Sequence, residues 1–500
     1  MTKNPLAGQH IPRPAAIAVL VFGGGAIGMM LELAGARVLA PYFGNSMFVW
    51  TSLIGVMLGF MSLGYFLGGR LADRKLDAGN LFWILTVAAF SVVLVNYLDP
   101  VLLPVLAEGG ATRVLAVVSA AILFAVPSTL LGMVSPYCIR LRMHAVEDSG
   151  ATVGTLYAIS TVGSITGTFA AGFWLLAVFG THDLIVLLAA GLAILSLLVV
   201  GRTLDWRRIA MLALVLVLVA LGFAVPAQAE ESIDTSYDRY FLREVRDPAS
   251  GRPLVLLTRD DKGAESASYA DTGEPYRIQY YDYYDLAVAM HGSVDRALMI
   301  GGGTFSYPRL FVAANPDATM DAVEIDPALY TIAVEQFGYA DDPRIGVHLE
   351  DGRTFLNSAT GPYDVVLIDA FKSEQTVPWQ LTTRETWQRT YDLMNDDGLL
   401  VMNVIGSPTD DRAAFFGALF ATIADVYPRV TAFAVQDAPV GGISNTMIVA
   451  AKDPDTDITA EAMSAMPGLG SRAIASWAPP PGTPLLTDDF APVDQYLLGF

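Results

Sequence analysis

The chain has 500 residues, of which 53% are hydrophobic and 16% are charged, and its formal net charge is −20. This length exceeds one ordinary domain, and sparse charge among many apolar residues is typical of a membrane protein. The acidic balance argues against nucleic-acid binding, because such a surface repels phosphate backbones. The single cysteine excludes a disulfide framework and a cysteine-based zinc site within one chain, and we predict no metal site.

Charge divides the chain into two dissimilar parts. The residues before Glu230 carry 12 Lys and Arg against 9 Asp and Glu, whereas the rest carries 18 against 41. We therefore predict a helical transmembrane domain over residues 1–229. A β-rich lead-in with an entry helix is predicted over residues 230–290, and an α/β domain over residues 291–500.

Apolar runs predict about seven membrane spans in the first part, most of them near the 20 residues that a bilayer needs. A cleavable signal peptide is rejected, because six further runs follow the first. Glycines four residues apart, Gly55/Gly59 and Gly163/Gly167, predict close helix contacts in lipid. The first run begins near Ala15, and the others lie near Val49–Gly69, Leu81–Leu98, Val114–Tyr137, Val153–Leu176, Leu184–Val200 and Ile209–Val225.

Basic residues in the short loops predict the orientation of these spans. With a cytoplasmic N-terminus, the inner ends and loops hold ten Lys and Arg, and the outer loops hold only Arg37 and Arg113. Seven spans then place the acidic part outside. We predict a multi-pass protein of a bacterial-type inner membrane with a periplasmic soluble domain, and a cytoplasmic domain is the alternative.

Two charged residues, Glu32 and Arg37, fall at or near the end of the first span, where charge is costly and usually has a reason. One interpretation is a structural pair five residues apart, facing the bundle or reaching the interface. The other is a ligand or transport role.

Strands alternate with helical stretches after residue 290, which predicts a parallel sheet covered on both faces. In such sheets ligands bind at the carboxyl ends of strands. Three glycines follow the first of these strands, and an acid follows each of the next three. The glycine turn lacks the full dinucleotide fingerprint G-x-G-x-x-G, because Ser306 occupies the position of its last glycine. The residues at these strand ends are Gly301, Gly302, Gly303, Glu324, Asp351 and Asp369.

The soluble part from about Arg243 to Tyr496 resembles the spermidine synthase (aminopropyltransferase) family, within the Rossmann-like S-adenosylmethionine enzymes. The segments that carry the resemblance are IGGGTFSYPR, VEIDP, EDGRTFL, YDVVLIDAF and LLTDDFAPV. With LELAGARVLAPYFG in the first part, the whole chain resembles the membrane-fused branch of that family. The resemblance implies a Rossmann-like fold for residues 291–500, and it suggests a homodimer.

The resemblance also implies roles for the strand-end residues. The glycine turn would lie against the nucleoside and the three-carbon chain, and Glu324 would hold the ribose hydroxyls. Asp351 would accept a hydrogen bond from the adenine amino group. Asp369 would be the catalytic acid beside the attacking amine. The predicted nucleoside-binding set is Gly301, Gly302, Gly303, Thr304, Glu324, Asp351, Gly352 and Ala370.

Three positions depart from the family pattern, and all concern the amine acceptor. Thr304 replaces the acid of the family's GGGDGG loop, and Lys372 replaces a second acid after the catalytic one. Tyr283-Tyr284 stands where the family has a Tyr-Gln pair. We predict Asp369, Tyr283 and Lys372 as the catalytic residues. Lys372 is either a solvated loop lysine or a partner for the carboxylate of intact S-adenosylmethionine.

These observations predict a membrane-anchored enzyme that cleaves S-adenosylmethionine, or its decarboxylated form, at the three-carbon chain and releases methylthioadenosine. The outcome is either a lyase reaction giving homoserine lactone or orthodox aminopropyl transfer to putrescine giving spermidine. The other classes are a methyltransferase and a transporter or sensor that binds a nucleoside or polyamine without turnover. The expected partners are this small substrate and the lipid bilayer.

Overall fold

The computed structural model describes most of the chain in two compact units, Met1–Arg239 and Tyr240–Phe500. The described residues are 12–43, 47–74, 76–107, 112–143, 149–199, 205–224, 231–235, 237–259, 264–370, 377–406, 413–435, 445–474 and 477–497.

Seven long apolar helices form the described part of the first unit, and each is long and apolar enough to cross a bilayer. The predicted number of spans is therefore confirmed at the level of length and composition. A π-helical turn, Ala171–Leu175, joins α5 to α6, and α6 is interrupted at Gly180, whose φ is 70°. The helices are α1 (Pro14–Phe43), α2 (Met47–Arg74), α3 (Ala78–Ala107), α4 (Thr112–Arg142), α5 (Ser149–Ala170), α6 (Leu176–Leu197) and α7 (Trp206–Ala224), followed by strand β1 (Glu231–Asp234).

Close helix contacts occur at one of the two predicted glycine pairs. Gly163 and Gly167 of α5 lie against the α1 backbone at Phe22 and Ala26, with no room for a Cβ atom. The prediction for Gly55 and Gly59 is wrong, because both face open space. In α2 the close contacts come instead from Gly64 and Gly68, which are also four residues apart and pack on the backbone of α4.

The side chain of Arg37 does not pair with Glu32, so the predicted structural pair is not formed. The guanidinium donates instead to the backbone oxygen of Thr235, beyond the end of α7. Asp234, beside it, accepts from the backbone nitrogen of Thr181 at 3.0 Å, just after the break in α6. The segment that follows the last span is therefore held at the end of the bundle where α1 terminates.

The second unit begins with antiparallel strands and continues as an α/β domain. The antiparallel strands are β2 (Arg239–Arg246), β3 (Pro253–Thr258) and β4 (Ala264–Tyr269), and the helix that leads into the sheet is α8 (Tyr281–His291). The main sheet contains β5 (Arg296–Ile300), β6 (Thr319–Val323), β7 (Ile345–His348), β8 (Tyr363–Ile368), β9 (Met394–Ile405), β10 (Arg429–Ala434) and β11 (Asn445–Ala451). The connecting and terminal helices are α9 (Ser306–Ala314), α10 (Pro327–Gln336), α11 (Gly352–Ser358), α12 (Arg384–Asp392), α13 (Ala413–Ala424), α14 (Ile458–Ala465), α15 (Pro467–Gly470) and α16 (Val493–Leu497), with a 3₁₀ turn at Trp379–Leu381.

The strand order of the main sheet is β7-β6-β5-β8-β9-β11-β10. The strands from β7 to β9 are parallel, as predicted, and this is a Rossmann-like arrangement with β5 at the centre. The prediction of a wholly parallel sheet is wrong at one edge. There β11 runs antiparallel to β9 and to β10.

Alternation of side chains along the central strand explains why both faces of this sheet are covered. Leu298 and Ile300 pack into one buried cluster, whereas Ala297 and Met299 pack into another on the opposite face. Because β5, β6 and β8 are parallel and in register, their carboxyl ends meet at one edge. This geometry brings the glycine turn and two of the predicted acids together.

Candidate active site

The glycine turn connects the ends of three strands. Gly301 and Gly302 donate their backbone N–H groups to the oxygen of Val323 on β6, at 2.8 and 3.0 Å. Gly301 has a φ of 98°, and a Cβ atom there would collide with the backbone of Asp369. Glycine is therefore required at this position by both conformation and space.

The residues that follow the turn differ in kind from the family's GGGDGG loop. Thr304 is fully buried, and its hydroxyl lies 3.0 Å from that of Ser306. Phe305 occupies the left-handed region with a φ of 57°, where a glycine would be unstrained. Its buried ring packs against the rings of Tyr330 and Tyr339. An aromatic anchor thus replaces a glycine, and no carboxylate stands at position 304.

Glu324 lies at the end of β6 with only 3% of its surface exposed. One carboxylate oxygen accepts from the backbone nitrogen of Gly303 at 2.9 Å, and the other accepts from that of Asp326 at 3.0 Å. These two bonds fix the carboxylate against the glycine turn. Each oxygen keeps a further lone pair that can accept from a hydroxyl.

Asp351 follows β7 and caps helix α11, where one oxygen accepts from the backbone nitrogen of Thr354 at 3.0 Å. The other oxygen lies 3.4 Å from the side-chain nitrogen of Gln380, in the 3₁₀ turn. Gly352 packs directly on the end of β5, because a Cβ atom there would lie 2.6 Å from the Cγ2 methyl group of Ile300. Asp351 can therefore cap helix α11 and still accept a hydrogen bond from a ligand.

Asp369 follows β8 and is held by donors on both of its oxygens. The Tyr280 hydroxyl donates to one at 2.9 Å, and the Asn403 amide donates to the other at 3.0 Å. Burial raises the pKa of Asp369 to about 6; the bonds from Asn403 and Tyr280 oppose that shift, and the Glu324 carboxylate adds to it. Tyr284 also lowers this pKa, although its geometry falls short of a hydrogen bond. Ala370 follows, partly buried.

The hydroxyl of Tyr283 is directed away from Asp369, and a catalytic role for Tyr283 stays a prediction. Its hydroxyl donates to the backbone oxygen of Ala434 at 2.7 Å, and its ring packs against Phe433 on β10. The helical turn that places Tyr280 and Tyr284 toward Asp369 directs Tyr283 to the edge strands. Tyr280 is thus the tyrosine that touches the predicted catalytic acid.

Lys372, the third predicted catalytic residue, lies outside the described residues. Within the described ranges, no three His, Cys, Asp or Glu side chains come together as a metal site. Glu324 and Asp369 instead lie close enough for the charge of Glu324 to act on Asp369, beside the main-chain N–H of Gly303. Two such carboxylates favour a cationic ligand, and one of them can accept a proton.

Asn403 and its partner Asn445, like Tyr280, were not among the site residues predicted from the sequence. Asn445 on β11 donates to the side-chain oxygen of Asn403 at 3.1 Å. A signal existed in the sequence, because Asn403 is a polar residue in an otherwise apolar strand, LLVMNVI. A buried polar side chain needs a partner, but the sequence does not say which one.

Comparisons with known proteins find similarity over part of the second unit. Residues 284–435 match the family described as "Spermine/spermidine synthase domain". A probable polyamine aminopropyl transferase of Bifidobacterium longum is 31% identical over 174 residues, which cover 35% of this chain and 37% of that protein. A polyamine aminopropyltransferase of Vibrio vulnificus is 32% identical over 177 residues, 34% of this chain and 58% of that protein.

Among solved structures, a probable spermidine synthase from Corynebacterium glutamicum is 18% identical, with a TM-score of 0.42 over 51% of this chain and 95% of that one. The matched segment thus spans about two fifths to three fifths of the length of the two curated relatives. Residues 284–435 are therefore similar to the spermine/spermidine synthase domain, and the resemblance predicted from the sequence is confirmed.

Proposed function

We propose that the second unit is an enzyme that cleaves S-adenosylmethionine, or its decarboxylated form, between the sulfonium and the three-carbon chain. The product common to both donors is methylthioadenosine. The observation that carries this proposal is the Asp369 carboxylate, which two donors hold at the end of β8 beside the glycine turn. A site that only bound a nucleoside would have no need of a fixed carboxylate at this place.

The residues around the glycine turn suit S-adenosylmethionine or its decarboxylated form. Glu324 offers acceptors for ribose hydroxyls, and Asp351 offers one for an adenine amino group. Carboxylates stabilise a sulfonium, whereas the phosphates of a dinucleotide would want N–H donors and positive charge. The carboxylates of Glu324 and Asp369 therefore favour a sulfonium nucleoside over NAD or ATP.

In the transfer reaction, an amine attacks the carbon next to the sulfonium. A carbon–nitrogen bond forms, the carbon–sulfur bond breaks, and its electron pair stays on sulfur as a neutral thioether. Asp369 orients the amine, accepts its proton and stabilises positive charge near it. Tyr280 and Asn403 keep the carboxylate in place for this role.

Thr304 favours a second candidate, a lyase reaction. Its buried hydroxyl, engaged with Ser306, stands where the family's loop carries an amine-binding acid. Without an amine, the carboxylate of S-adenosylmethionine can attack its own γ-carbon. A carbon–oxygen bond then forms, the carbon–sulfur bond breaks, and methylthioadenosine and homoserine lactone leave with no other reactant.

The deciding experiment incubates the purified full-length protein with each donor, with and without putrescine, and identifies the products by mass. Methylthioadenosine from S-adenosylmethionine without amine supports the lyase, and spermidine from the decarboxylated donor supports the transferase. A methylated acceptor with S-adenosylhomocysteine would instead show a methyltransferase. Tight nucleoside binding without any product would contradict the enzymatic proposal.

We also propose that the seven helices anchor the protein in a membrane with the second unit on the outer side. Support comes from the first unit, where Thr235 is bound at the end of the bundle that holds Arg37. That end carries few basic residues, and the positive-inside rule assigns it to the outside. A reporter fused after Phe500, active in one compartment only, tests this orientation; activity confined to the cytoplasm would contradict it.

Two matched tyrosine variants test whether Tyr280 or Tyr283 acts on Asp369. Tyr280→Phe removes a donor from Asp369, so we expect its pKa to rise and turnover at neutral pH to fall about 3- to 30-fold. Tyr283→Phe removes only a bond to the Ala434 carbonyl, so we expect lower thermal stability and an unchanged pH profile. Turnover against pH and the melting temperature check both; the reverse pattern would restore Tyr283 to the site.

A further inference from the structure

The side chains behind Asp369 form a short line across the sheet. Asn403 extends from β9 to the carboxylate on β8, and Asn445 extends from β11 to Asn403, with donor–acceptor distances of 3.0 and 3.1 Å. Asn403 is only 7% exposed. A buried amide such as that of Asn403 is costly unless its polar atoms are satisfied, which calls for a reason beyond packing.

The direction of each bond follows from chemistry. An ionised carboxylate can only accept, so Asn403 must turn its NH₂ group toward Asp369 and its oxygen away from it. That oxygen then meets the NH₂ group of Asn445. Without Asn445, the Asn403 oxygen would lose its donor, and the carboxylate of Asp369 alone would hold the amide in this orientation.

We infer that Asn445 is a positioning residue, which acts through Asn403 to keep a hydrogen-bond donor on the catalytic carboxylate. The inference rests on the proposed function for its catalytic meaning. Strand β11, which pairs antiparallel with β9, thereby contributes to the chemistry at the end of β8. The described titratable groups that face Asp369 are Glu324, Tyr280, Tyr281 and Tyr284. The line of amides supplies a donor to the carboxylate oxygen that Tyr280 does not bind.

The chain offers a matched control for this arrangement. Asn395 of β9 donates to the Asp364 carboxylate of β8, so the same two strands carry a second asparagine–aspartate pair. That pair lies at the opposite end of the strands from Asp369. Replacing Asn395 therefore shows how far the loss of an asparagine remote from Asp369 affects the measured titration.

The test measures the titration of Asp369 itself by infrared difference spectroscopy on the full-length protein. Its protonated carboxyl band is assigned as the one that Asp369→Asn lacks. We expect Asn403→Leu to raise the titration midpoint by roughly one pH unit, since a bond to a charged group is lost. Asn445→Ala should raise it by a smaller amount in the same direction, and the double variant should match Asn403→Leu alone.

Asn395→Leu should leave the midpoint unchanged. If Asn403→Leu does not fold, Asn403→Ala takes its place. An unshifted midpoint in Asn445→Ala, or additive shifts in the double variant, would overturn the inference. The infrared midpoint does not depend on turnover, so a wild-type protein that forms no product from either donor defeats the proposed function and leaves this test intact.

Discussion

Asp369→Asn should lower the rate of methylthioadenosine formation by about 10²- to 10⁴-fold, the contribution typical of a positioned general base. Asparagine keeps the shape of the side chain and can still bond to Asn403 and Tyr280, so nucleoside binding should persist. The measurement is turnover by mass, with the dissociation constant of methylthioadenosine by calorimetry.

Asp364→Asn provides the control for that variant. Asp364 lies on the same strand, and it also accepts from an asparagine and from backbone nitrogens, but at the other end of β8. Its replacement should leave turnover per folded molecule near that of the wild type. Unchanged turnover in Asp369→Asn would remove this residue from the mechanism.

The pH dependence follows from the same carboxylate. Burial raises the pKa of Asp369 to about 6, so the group is mostly protonated below that pH and mostly ionised above it. A base must be ionised to accept a proton, and activity should therefore rise as pH increases through about 6. This acid limb should be absent from the residual activity of Asp369→Asn. A limb that persists in the variant would assign it to another group.

Glu324→Gln should weaken nucleoside binding by about 10- to 100-fold, because charged hydrogen bonds to the ribose are replaced by weaker ones. The amide would also turn an N–H group toward the N–H of Gly303 or Asp326, both of which now donate to the carboxylate. Calorimetry with methylthioadenosine gives the change in affinity.

A ligand series separates recognition from general damage to the site. The wild type should bind methylthioadenosine more tightly than its analogue without ribose hydroxyls, and Glu324→Gln should show little difference between the two. Glu335→Gln, at an exposed position on α10, is the control and should behave as the wild type. Equal discrimination in Glu324→Gln and the wild type would show that Glu324 does not contact the ribose.

The sequence by itself determined the two-part organisation, the seven long apolar helices and the strand ends that carry Gly301, Glu324 and Asp369. These features are local: the length of an apolar run, the period of a strand, and a glycine or an acid directly after it. Because β5, β6 and β8 are parallel, the residues that follow these strands meet at one edge of the sheet. The order of strands and acids along the sequence was therefore sufficient to predict that they lie together.

Only the tertiary structure decided which side chains surround Asp369. Tyr280 directly precedes the short helix α8 and Tyr283 lies in its first turn, so their directions depend on how that helix packs on the sheet. Asn403 and Asn445 are 42 residues apart, and they meet because β11 inserts antiparallel beside β9. Arg37 likewise donates to the backbone oxygen of Thr235, which lies 198 residues further along the chain. Contacts of this kind depend on packing between distant segments, which no local pattern encodes.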